Sequence, residues 1–238
     1  MWPFAETALY GAINRNVPLG GTSAGLAVLG DFDFTAYTGR TITSNEALVN
    51  PYNRALTIDG QGGDGFLTTR EVSNSTASSL MSLLKNTITD SHFRQRDRLG
   101  RLVTFMSRLD ADGVLDTTVP ESKVRGIGIN EQTALLIEPS GMARVVANPA
   151  GVGDQRSVYV MEHAIGSSPR TLTSPLTYRD VSVARANAGA SFNLLSLASL
   201  TTPLESYSVS ATGRFASRNV AELLSTSIGI YGNDGLVV

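Results

Sequence analysis

The chain has 238 residues, of which 42% are hydrophobic and 17% charged, so it can bury a sizeable core and is not generally disordered. Its net charge of −2 gives no electrostatic basis for binding nucleic acid or an anionic membrane, and no apolar run reaches the roughly 20 residues of a membrane span. Cysteine is absent and only two histidines are present, which excludes disulfides, thiolate metal sites and a three-histidine metal site.

Near the N-terminus the pattern predicts an α-β-α unit around a serine. A helix over residues 5–16 and a short buried strand over 17–19 precede Gly20-Gly21-Thr22-Ser23-Ala24-Gly25, and a helix-compatible apolar run follows. Gly-x-Ser-x-Gly between a strand and a helix is typical of a nucleophile elbow, which presents the serine Oγ above a sheet. The N–H of Ala24 would then point to a developing oxyanion. The same residues also fit a glycine-rich turn or an anion-binding loop.

Between this unit and the second motif, the sequence predicts short elements separated by loops. They are a strand over residues 32–37, a capped helical turn over 44–49, an irregular loop over 60–65, a helix over 77–84 and a strand over 87–89. The irregular loop is interpreted either as a surface loop or as a lid over the site.

The second motif is a histidine followed by an arginine-rich stretch. His92 lies between the predicted strand over 87–89 and a predicted helix that begins at residue 94, a usual position for functional groups in α/β sheets. Asp90 or Ser91 is positioned to cap this helix. An apolar stripe and an arginine face have helical spacing: Leu99, Leu102, Val103, Met106 and Leu109, opposite Arg94, Arg98, Arg101 and Arg108. The arginine face is either solvated or part of an anion-binding pocket.

The third motif ends a buried strand with a carboxylate. Residues 124–137 predict a strand that ends at Asn130-Glu131 and is followed by a second strand. Glu131 is well placed to orient a histidine, although it also fits a solvated turn. Ser23, His92 and Glu131 thus form a candidate relay, in which the imidazole takes and returns the serine proton and the carboxylate fixes the imidazole tautomer.

From residue 142 onward, short runs with turn signals predict antiparallel strands at the sheet edge or a small β-rich extension. The predicted elements are strands over 143–147, 157–161, 176–184 and 207–210 and a helix over 218–225. His163 lies here without a surrounding motif, and we interpret it as structural or surface-exposed. With His163 as base instead, the order serine, acid, histidine would be that of an α/β-hydrolase esterase.

Together, three stretches resemble the signatures of the cyanophycinase family of serine peptidases, which are relatives of the aspartyl dipeptidases. They are residues 20–25, Asp90-Ser91-His92-Phe93 with the arginines that follow, and Gly126-Ile127-Gly128-Ile129-Asn130-Glu131-Gln132-Thr133-Ala134. The resemblance extends from about residue 5 to 150 and implies a flavodoxin-like α/β sheet and a homodimer. Residues 1–150 would form the catalytic core and 151–238 a β-rich extension of the same domain. Because family members carry a further segment with Gly-Gly-Asp-Gln before the serine, the chain would be an N-terminally truncated version of the family domain.

The resemblance also implies a reaction, which is hydrolysis of β-aspartyl dipeptide units such as β-Asp-Arg from cyanophycin-like or acidic peptides through an acyl-enzyme. On the matching positions, Ser23 is the nucleophile, His92 the base and Glu131 the acid that orients it. We expect neither a metal nor another cofactor. A catalytically inert binding or structural protein of the same fold stays an alternative, since the missing segment helps to build the family's oxyanion site.

Three further positions concern the substrate. Arg96 and Arg101 match residues that hold substrate carboxylates in the family, in agreement with the basic helix face. Ser91 stands where the best-known cyanophycinases have a glutamine that contacts substrate. We therefore expect Ser91, Arg96 and Arg101 to line the substrate site.

Overall fold

The computed structural model describes Arg15 and residues 17–59, 83–119, 122–151, 156–166, 175–201, 204–212 and 215–217. Among these residues, no helix is long and apolar enough to cross a membrane. The helices and strands are α1 (Ala24–Ala27), β1 (Asp33–Phe34), α2 (Ser44–Val49), β2 (Ile58–Asp59), β3 (Thr87–Asp90), α3 (Leu99–Ala111), β4 (Lys123–Ile129), β5 (Thr133–Ile137), β6 (Met142–Ala147), β7 (Ser157–Ala164), β8 (Thr177–Asn187), β9 (Ser191–Asn193), β10 (Glu205–Thr212) and β11 (Phe215–Ser217).

The largest sheet is mixed and has the strand order β11-β10-β8-β7-β4-β3. β3 and β4 are parallel, and a single parallel bridge between Phe32 and Ile88 continues this parallel edge. The other neighbours are antiparallel, as the turn-rich sequence after residue 142 predicts. A three-stranded sheet (β5-β6-β9) and the β1-β2 pair complete the described strands. The architecture is therefore α/β, with mixed sheets and a few helices.

The parallel register of β3 and β4 places their carboxyl ends at the same edge of the sheet. Asp90, the last residue of β3, is opposite Gly128 of β4. The residues that follow each strand, among them His92 and Glu131, are consequently neighbours although they are far apart in sequence. This edge is the usual location of functional groups in α/β sheets.

Two glycines of β4 allow close packing at this edge. A Cβ on Gly126 would lie 2.7 Å from the Met106 sulfur of α3, and a Cβ on Gly128 would lie 2.5 Å from the Phe93 ring. Both distances are too short for real contacts, so larger residues would push α3 and the residues after β3 away from the sheet. The predicted apolar stripe of α3 is buried, including Leu99, Leu102, Val103, Met106 and Leu109.

Several sequence predictions are confirmed within a few residues. They concern the helical turn α2, the strands β3, β4 and β5, and the antiparallel strands β6, β7, β8 and β10. α2 carries a capping box, in which Thr43 and Glu46 bond each other's backbone N–H. The predicted helices over 5–16 and 218–225 and the loop over 60–65 lie outside the described residues, as does most of the helix over 77–84.

Other predictions are wrong. Residues 17–19 form no strand: Val17 is 45% exposed and Pro18 has no N–H to donate to a ladder. The strand predicted over 32–37 is reduced to the two residues of β1. The helix predicted from residue 94 begins only at Leu99, because Asp97 adopts a positive φ of 48° that a right-handed helix does not allow.

The predicted helix cap is also wrong. Arg98 occupies the N-cap position of α3 and makes no side-chain capping bond. Asp90, one of the two predicted caps, instead accepts hydrogen bonds from Arg98 and Arg101. The carboxylate is therefore bound to guanidinium groups rather than to the first backbone N–H groups of the helix.

Candidate active site

Ser23 lies in a sharp turn immediately before α1. Its φ of 55° and ψ of −120° fall outside the favoured regions for an L-residue, so the turn holds the serine in a strained conformation. The turn is closed by Gly25 and Leu26, whose N–H groups donate to the carbonyls of Thr22 (2.9 Å) and Ser23 (3.1 Å). Ser23 is exposed to solvent, and its side chain is therefore accessible to a substrate.

The glycine two residues before the serine has a steric function. A Cβ on Gly21 would overlap the backbone carbonyl of Gly25, so the chain can fold back on itself only without that methyl group. A Cβ on the neighbouring Gly20 would meet nothing within 4 Å. The close approach of residues 21 and 25 thus explains the first glycine of Gly-x-Ser-x-Gly, whereas a Cβ on Gly25 would also meet nothing within 4 Å.

His92 is held at the end of β3 by the backbone around it. It has a positive φ of 49°, and the N–H of the next residue, Phe93, donates to the carbonyl of Ile129 in β4 (3.1 Å). The Phe93 ring packs on Gly128. These contacts fix residues 91–97, which form turns instead of helix, against the end of β4.

An ion-pair network around the buried Asp90 carboxylate also fixes the turn formed by residues 91–97. The Arg101 guanidinium forms two parallel bonds to Asp90, with Nε–Oδ2 and Nη2–Oδ1 distances of 2.6 Å. Arg98 donates through Nη1 to Asp90 Oδ1 (3.0 Å) and to the carbonyl of Ser91 (2.7 Å). Burial lowers the pKa of Arg98, and the Asp90 carboxylate opposes this shift. The backbone of Ser91, the residue before His92, is thereby anchored to the Arg98–Asp90 ion pair.

This network corrects the prediction that Arg101 holds substrate carboxylates. The Arg101 side chain is only 5% exposed, and its Nη1 donates further to Thr41 Oγ1 (2.9 Å) and the Ile42 carbonyl (3.3 Å). It does not line the pocket described below. Arg101 is therefore a structural residue that neutralises Asp90.

Glu131 follows β4 and is positioned by hydrogen bonds of its backbone and of its neighbour. Its N–H donates to Gln95 Oε1 (3.1 Å), and its carbonyl accepts from Thr133 Oγ1 (3.2 Å). The preceding residue, Asn130, is buried, and its Oδ1 accepts from the Arg94 N–H (3.1 Å). The turn after β3 and the end of β4 thus hold each other in place.

These elements bring the three predicted side chains together. Nδ1 of His92 lies 2.7 Å from Glu131 Oε1, and Nε2 of the same ring lies 3.4 Å from Ser23 Oγ. An Nδ1–H donated to the carboxylate leaves the Nε2 lone pair free to accept the serine proton. The Nε2–Oγ distance is longer than the 2.6–3.2 Å of proton transfer, as is common before substrate binds. The arrangement can activate a serine for nucleophilic attack.

A pocket of about 1,100 Å³ opens over the three side chains. Leu26, Leu29, Leu135, Leu136 and Val146 are among its apolar lining residues, and Ser91, Asn130, Gln132, Thr133 and Asn148 are among its polar ones. Ser91, which we expect to contact substrate, is thus one of the residues that line this pocket. Arg96 does not line the pocket; it is exposed on the turn that carries His92, and its N–H donates to the His92 carbonyl (3.0 Å).

The N–H of Ala24 directly follows the serine at the start of α1. Within the described part of the chain, this N–H has no hydrogen-bond acceptor. This N–H group can therefore donate a hydrogen bond to an oxygen bound next to Ser23, which is the role that the sequence analysis predicts for it.

His163 is not in a position to act on Ser23. It lies in β7, is 4% exposed, and its ring packs against Tyr178 with a centroid distance of 4.3 Å. Burial lowers the pKa of His163, while Asp110 acts in the opposite direction. His163 does not line the pocket. His163 is therefore a buried residue of β7 that lies outside the pocket with Ser23, and the structure gives no support to its use as the base.

Sequence reasoning missed the residues that support the relay. The sequence pattern predicts a helix cap at Asp90 and an arginine face that includes Arg98, and it predicts no role for Gln95. The sequence does contain a signal for the ion-pair network. Asp90 ends β3, and Arg98 and Arg101 follow it by eight and eleven residues. Gln95 gave none, because its contact with Glu131 depends on how β3 and β4 are paired.

Comparison with known proteins adds no family assignment. No protein-family model and no curated protein sequence matches the chain. Among the described residues, no group of three histidine or carboxylate side chains is placed to hold a metal ion.

Proposed function

We propose that the protein is a serine hydrolase of the peptidase type, similar to the cyanophycinases, that cleaves its substrate through an acyl-enzyme. The observation that carries this proposal is the chain of contacts from Glu131 through His92 to Ser23, with distances of 2.7 and 3.4 Å, at the base of a large open pocket. A serine alone is a weak nucleophile, and this relay is the arrangement that activates it.

The proposed reaction has two halves. His92 Nε2 takes the proton of Ser23 Oγ as the oxygen attacks the scissile carbonyl, and the Ala24 N–H donates to the resulting oxyanion. His92 then gives the proton to the leaving amine, which departs and leaves the acyl group on Ser23. A water molecule, deprotonated by the same nitrogen, attacks the acyl-enzyme and restores the serine. Glu131 stabilises the imidazolium that exists in both halves.

The finer description of the fold belongs to this proposal. We interpret the Ser23 turn as a nucleophile elbow, since it combines the strained backbone, the Gly21–Gly25 contact and a following helix. The parallel edge formed by Phe32, β3 and β4 supports a flavodoxin-like sheet. The β-aspartyl substrate and the homodimer rest on the family resemblance alone.

Labelling with a fluorophosphonate, which reacts with activated serines, tests the proposal. We expect the wild type to be labelled at Ser23, Ser23→Ala to lose the label, and His92→Ala to react at least about 100-fold more slowly because the base is absent. Ser140→Ala, which removes an exposed serine outside the pocket, is the matched control and should label like the wild type. Hydrolysis of β-Asp-Arg is measured in the same variants.

Two results would contradict the proposal. If the folded wild type takes no label, the chain is an inert binding or structural protein. If His163→Gln loses the label while His92→Ala keeps it, the base has been assigned wrongly and the esterase alternative is favoured. Circular dichroism of each variant shows that loss of labelling is not loss of folding.

A further inference from the structure

β5 is an edge strand of the three-stranded sheet, and β6 is its single neighbour among the described strands. The hydrogen bonds at its two ends show which residues of β5 face β6. The Asn148 N–H donates to the carbonyl of Gln132, just before β5 (2.9 Å), and the N–H of Glu138, just after β5, donates to the Met142 carbonyl (2.8 Å). Because alternate residues of a strand bond the same neighbour, the even-numbered residues from 132 to 138 face β6.

The odd-numbered residues of β5 therefore direct their main-chain groups toward the free edge. Within the described part of the chain, the N–H and carbonyl groups of Leu135 and Ile137 have no main-chain partner. The two residues are about 7 Å apart along the strand, since a strand rises by roughly 3.4 Å per residue. The edge thus presents donors and acceptors at the spacing that another strand requires.

The sequence of β5 does not protect this edge against pairing. Natural edge strands are commonly protected by lysine, proline or a β-bulge. β5 has the sequence Thr-Ala-Leu-Leu-Ile, and it pairs with β6 without a register shift. It therefore has the character of a strand that accepts a further strand.

The free edge borders the pocket over Ser23. Residues 132–136 all line this pocket, although successive side chains of a strand point to opposite faces. A pocket that contacts both faces of β5 reaches the strand from its edge. Leu26, in the helix that follows Ser23, lines the same pocket. A chain bound over Ser23 therefore lies beside the main-chain groups of Leu135.

We propose that the free edge of β5 binds the main chain of an extended peptide substrate, which adds to the three-stranded sheet as a further strand. The inference rests on the proposed acyl-enzyme at Ser23 and deepens it, because it favours polypeptides that carry β-aspartyl units over a single dipeptide. Such a polypeptide has the same main-chain N–H and carbonyl groups as any other. The β-linked groups are side chains, so strand pairing leaves them free to contact the pocket.

The first test compares peptides of two, four and six β-Asp-Arg units that are joined through their aspartate main chains. Each main-chain hydrogen bond to β5 should contribute about fivefold, so kcat/KM per scissile bond should rise by about 20-fold from two to six units. Chromatography of the products follows the cleavage of each bond separately. Side-chain contacts also increase with length, and a second measurement is needed to isolate the main chain.

A scan of single N-methyl groups along the six-unit peptide isolates the main chain. Only alternate residues of an added strand donate to its neighbour. For a given cleaved bond, kcat/KM should therefore fall about fivefold or more when the methyl group is at every second nitrogen, and stay within about twofold at the nitrogens between them. A purely steric or side-chain effect would not alternate.

A variant of β5 provides a third readout. Leu135→Pro removes the N–H that faces the free edge and leaves the even-numbered residues to bond β6. It should reduce the rise in kcat/KM with peptide length from about 20-fold to about fourfold. Leu135→Ala is the matched control, because it shortens the same side chain but retains the N–H, and it should keep the full rise. If Leu135→Pro does not fold, the methyl scan of the wild type decides.

The outcomes separate this inference from the proposed function. If fluorophosphonate labels Ser23 but the methyl scan shows no alternation, or the labelled protein cleaves none of the peptides, the edge is not a subsite and the nucleophile stands. A dimer that Leu135→Pro converts to a monomer would assign the edge to a second copy of the chain and overturn the inference. If the folded wild type neither takes the label nor cleaves any peptide, the proposed function and this inference fail together.

Discussion

At the scale of single residues, the conformation of the serine turn depends on the absence of one methyl group. Gly21 and Gly25 approach each other so closely that a Cβ on Gly21 would occupy the position of the Gly25 carbonyl. The backbone must open to accept it, and this would move Ser23 and the Ala24 N–H together. A displacement of about 1 Å at a reacting group can reduce the rate by about 100-fold.

Gly21→Ala should therefore reduce the rate of fluorophosphonate labelling at Ser23 by about 100-fold or more. The matched control is Gly20→Ala, one residue earlier, because a Cβ there meets nothing within 4 Å. We expect Gly20→Ala to label at nearly the wild-type rate. Equal rates for the two variants would show that the turn does not position the serine.

Glu131 acts through His92 and not on the substrate. Its side chain is 42% exposed, yet Oε1 lies 2.7 Å from His92 Nδ1 and determines which ring nitrogen carries the proton. The neutral amide of a glutamine can present its N–H₂ group to Nδ1 and so favour the wrong tautomer.

Glu131→Gln should lower kcat by about 100- to 10,000-fold with little change in KM, because it affects the proton transfer and leaves the pocket in place. Steady-state hydrolysis of β-Asp-Arg measures both constants. Glu138→Gln, an exposed carboxylate outside the pocket, controls for the loss of charge and should behave like the wild type. A large increase in KM for Glu131→Gln would instead indicate that this carboxylate binds substrate.

At the scale of structural elements, the junction between β3 and α3 is held by a buried carboxylate and two guanidinium groups. Asp90 is 5% exposed and accepts from Arg98 and Arg101, and Arg98 also binds the Ser91 carbonyl. Neutralising Asp90 would leave the buried Arg101 and the partly buried Arg98 without their counter-ion, which is costly in a protein interior.

Asp90→Asn should lower the free energy of unfolding by about 3–5 kcal/mol in urea denaturation. Asp112→Asn is the control, since it neutralises an exposed aspartate that pairs with Arg108 one helical turn away and accepts from the Tyr52 hydroxyl; it should cost about 1 kcal/mol or less. Similar costs for the two variants would show that the Asp90 network is not a principal support of this junction.

At the scale of the whole molecule, the six-stranded sheet separates two hydrophobic clusters. One contains the apolar stripe of α3 together with residues of β3, β4, β7 and β8, and the other contains Leu84, Ile127 and residues of the three-stranded sheet. Ser23, His92 and Glu131 lie at the edge where β3 and β4 end, and His163 is buried in β7 against Tyr178 of β8. The two histidines thus belong to different environments.

Burial of His163 should make the stability of the protein depend on pH. The pKa of His163 in the folded protein is lower than the ordinary value of 6.5 that applies to the unfolded chain. At a pH between these two values, the unfolded chain therefore binds a proton more readily than the folded protein does. The free energy of unfolding is then constant above about pH 6.5 and falls as the pH is lowered, by up to about 1.4 kcal/mol per pH unit.

Urea denaturation at pH 7.5 and 5.5 measures this effect. His163→Gln should remove most of the difference between the two pH values, whatever its stability at pH 7.5. His92→Gln changes the histidine in the pocket and should retain the difference. If both variants behave like the wild type, other groups account for the pH dependence.

The sequence by itself determined the local elements and the chemical character of the site. The β-branched run before Asn130, the apolar stripe of α3 and the alternation of the later strands predicted their elements because burial imposes those periods. Ser23, His92 and Glu131 could be named as candidates because each lies at a glycine-rich turn or at a strand end, where a side chain is free to leave the sheet.

Only the tertiary structure decided which of these residues meet and which do not. Ser23, His92 and Glu131 come together because β3 and β4 pair in parallel, a long-range contact that no local pattern encodes. Arg101 illustrates the opposite case, in which a residue predicted at the site lies elsewhere. Its helical spacing predicted a position on a polar face, but Arg101 is buried because it pairs with Asp90. Long-range pairing and the desolvation of charges thus set the geometry of the site, whereas local sequence supplied its components.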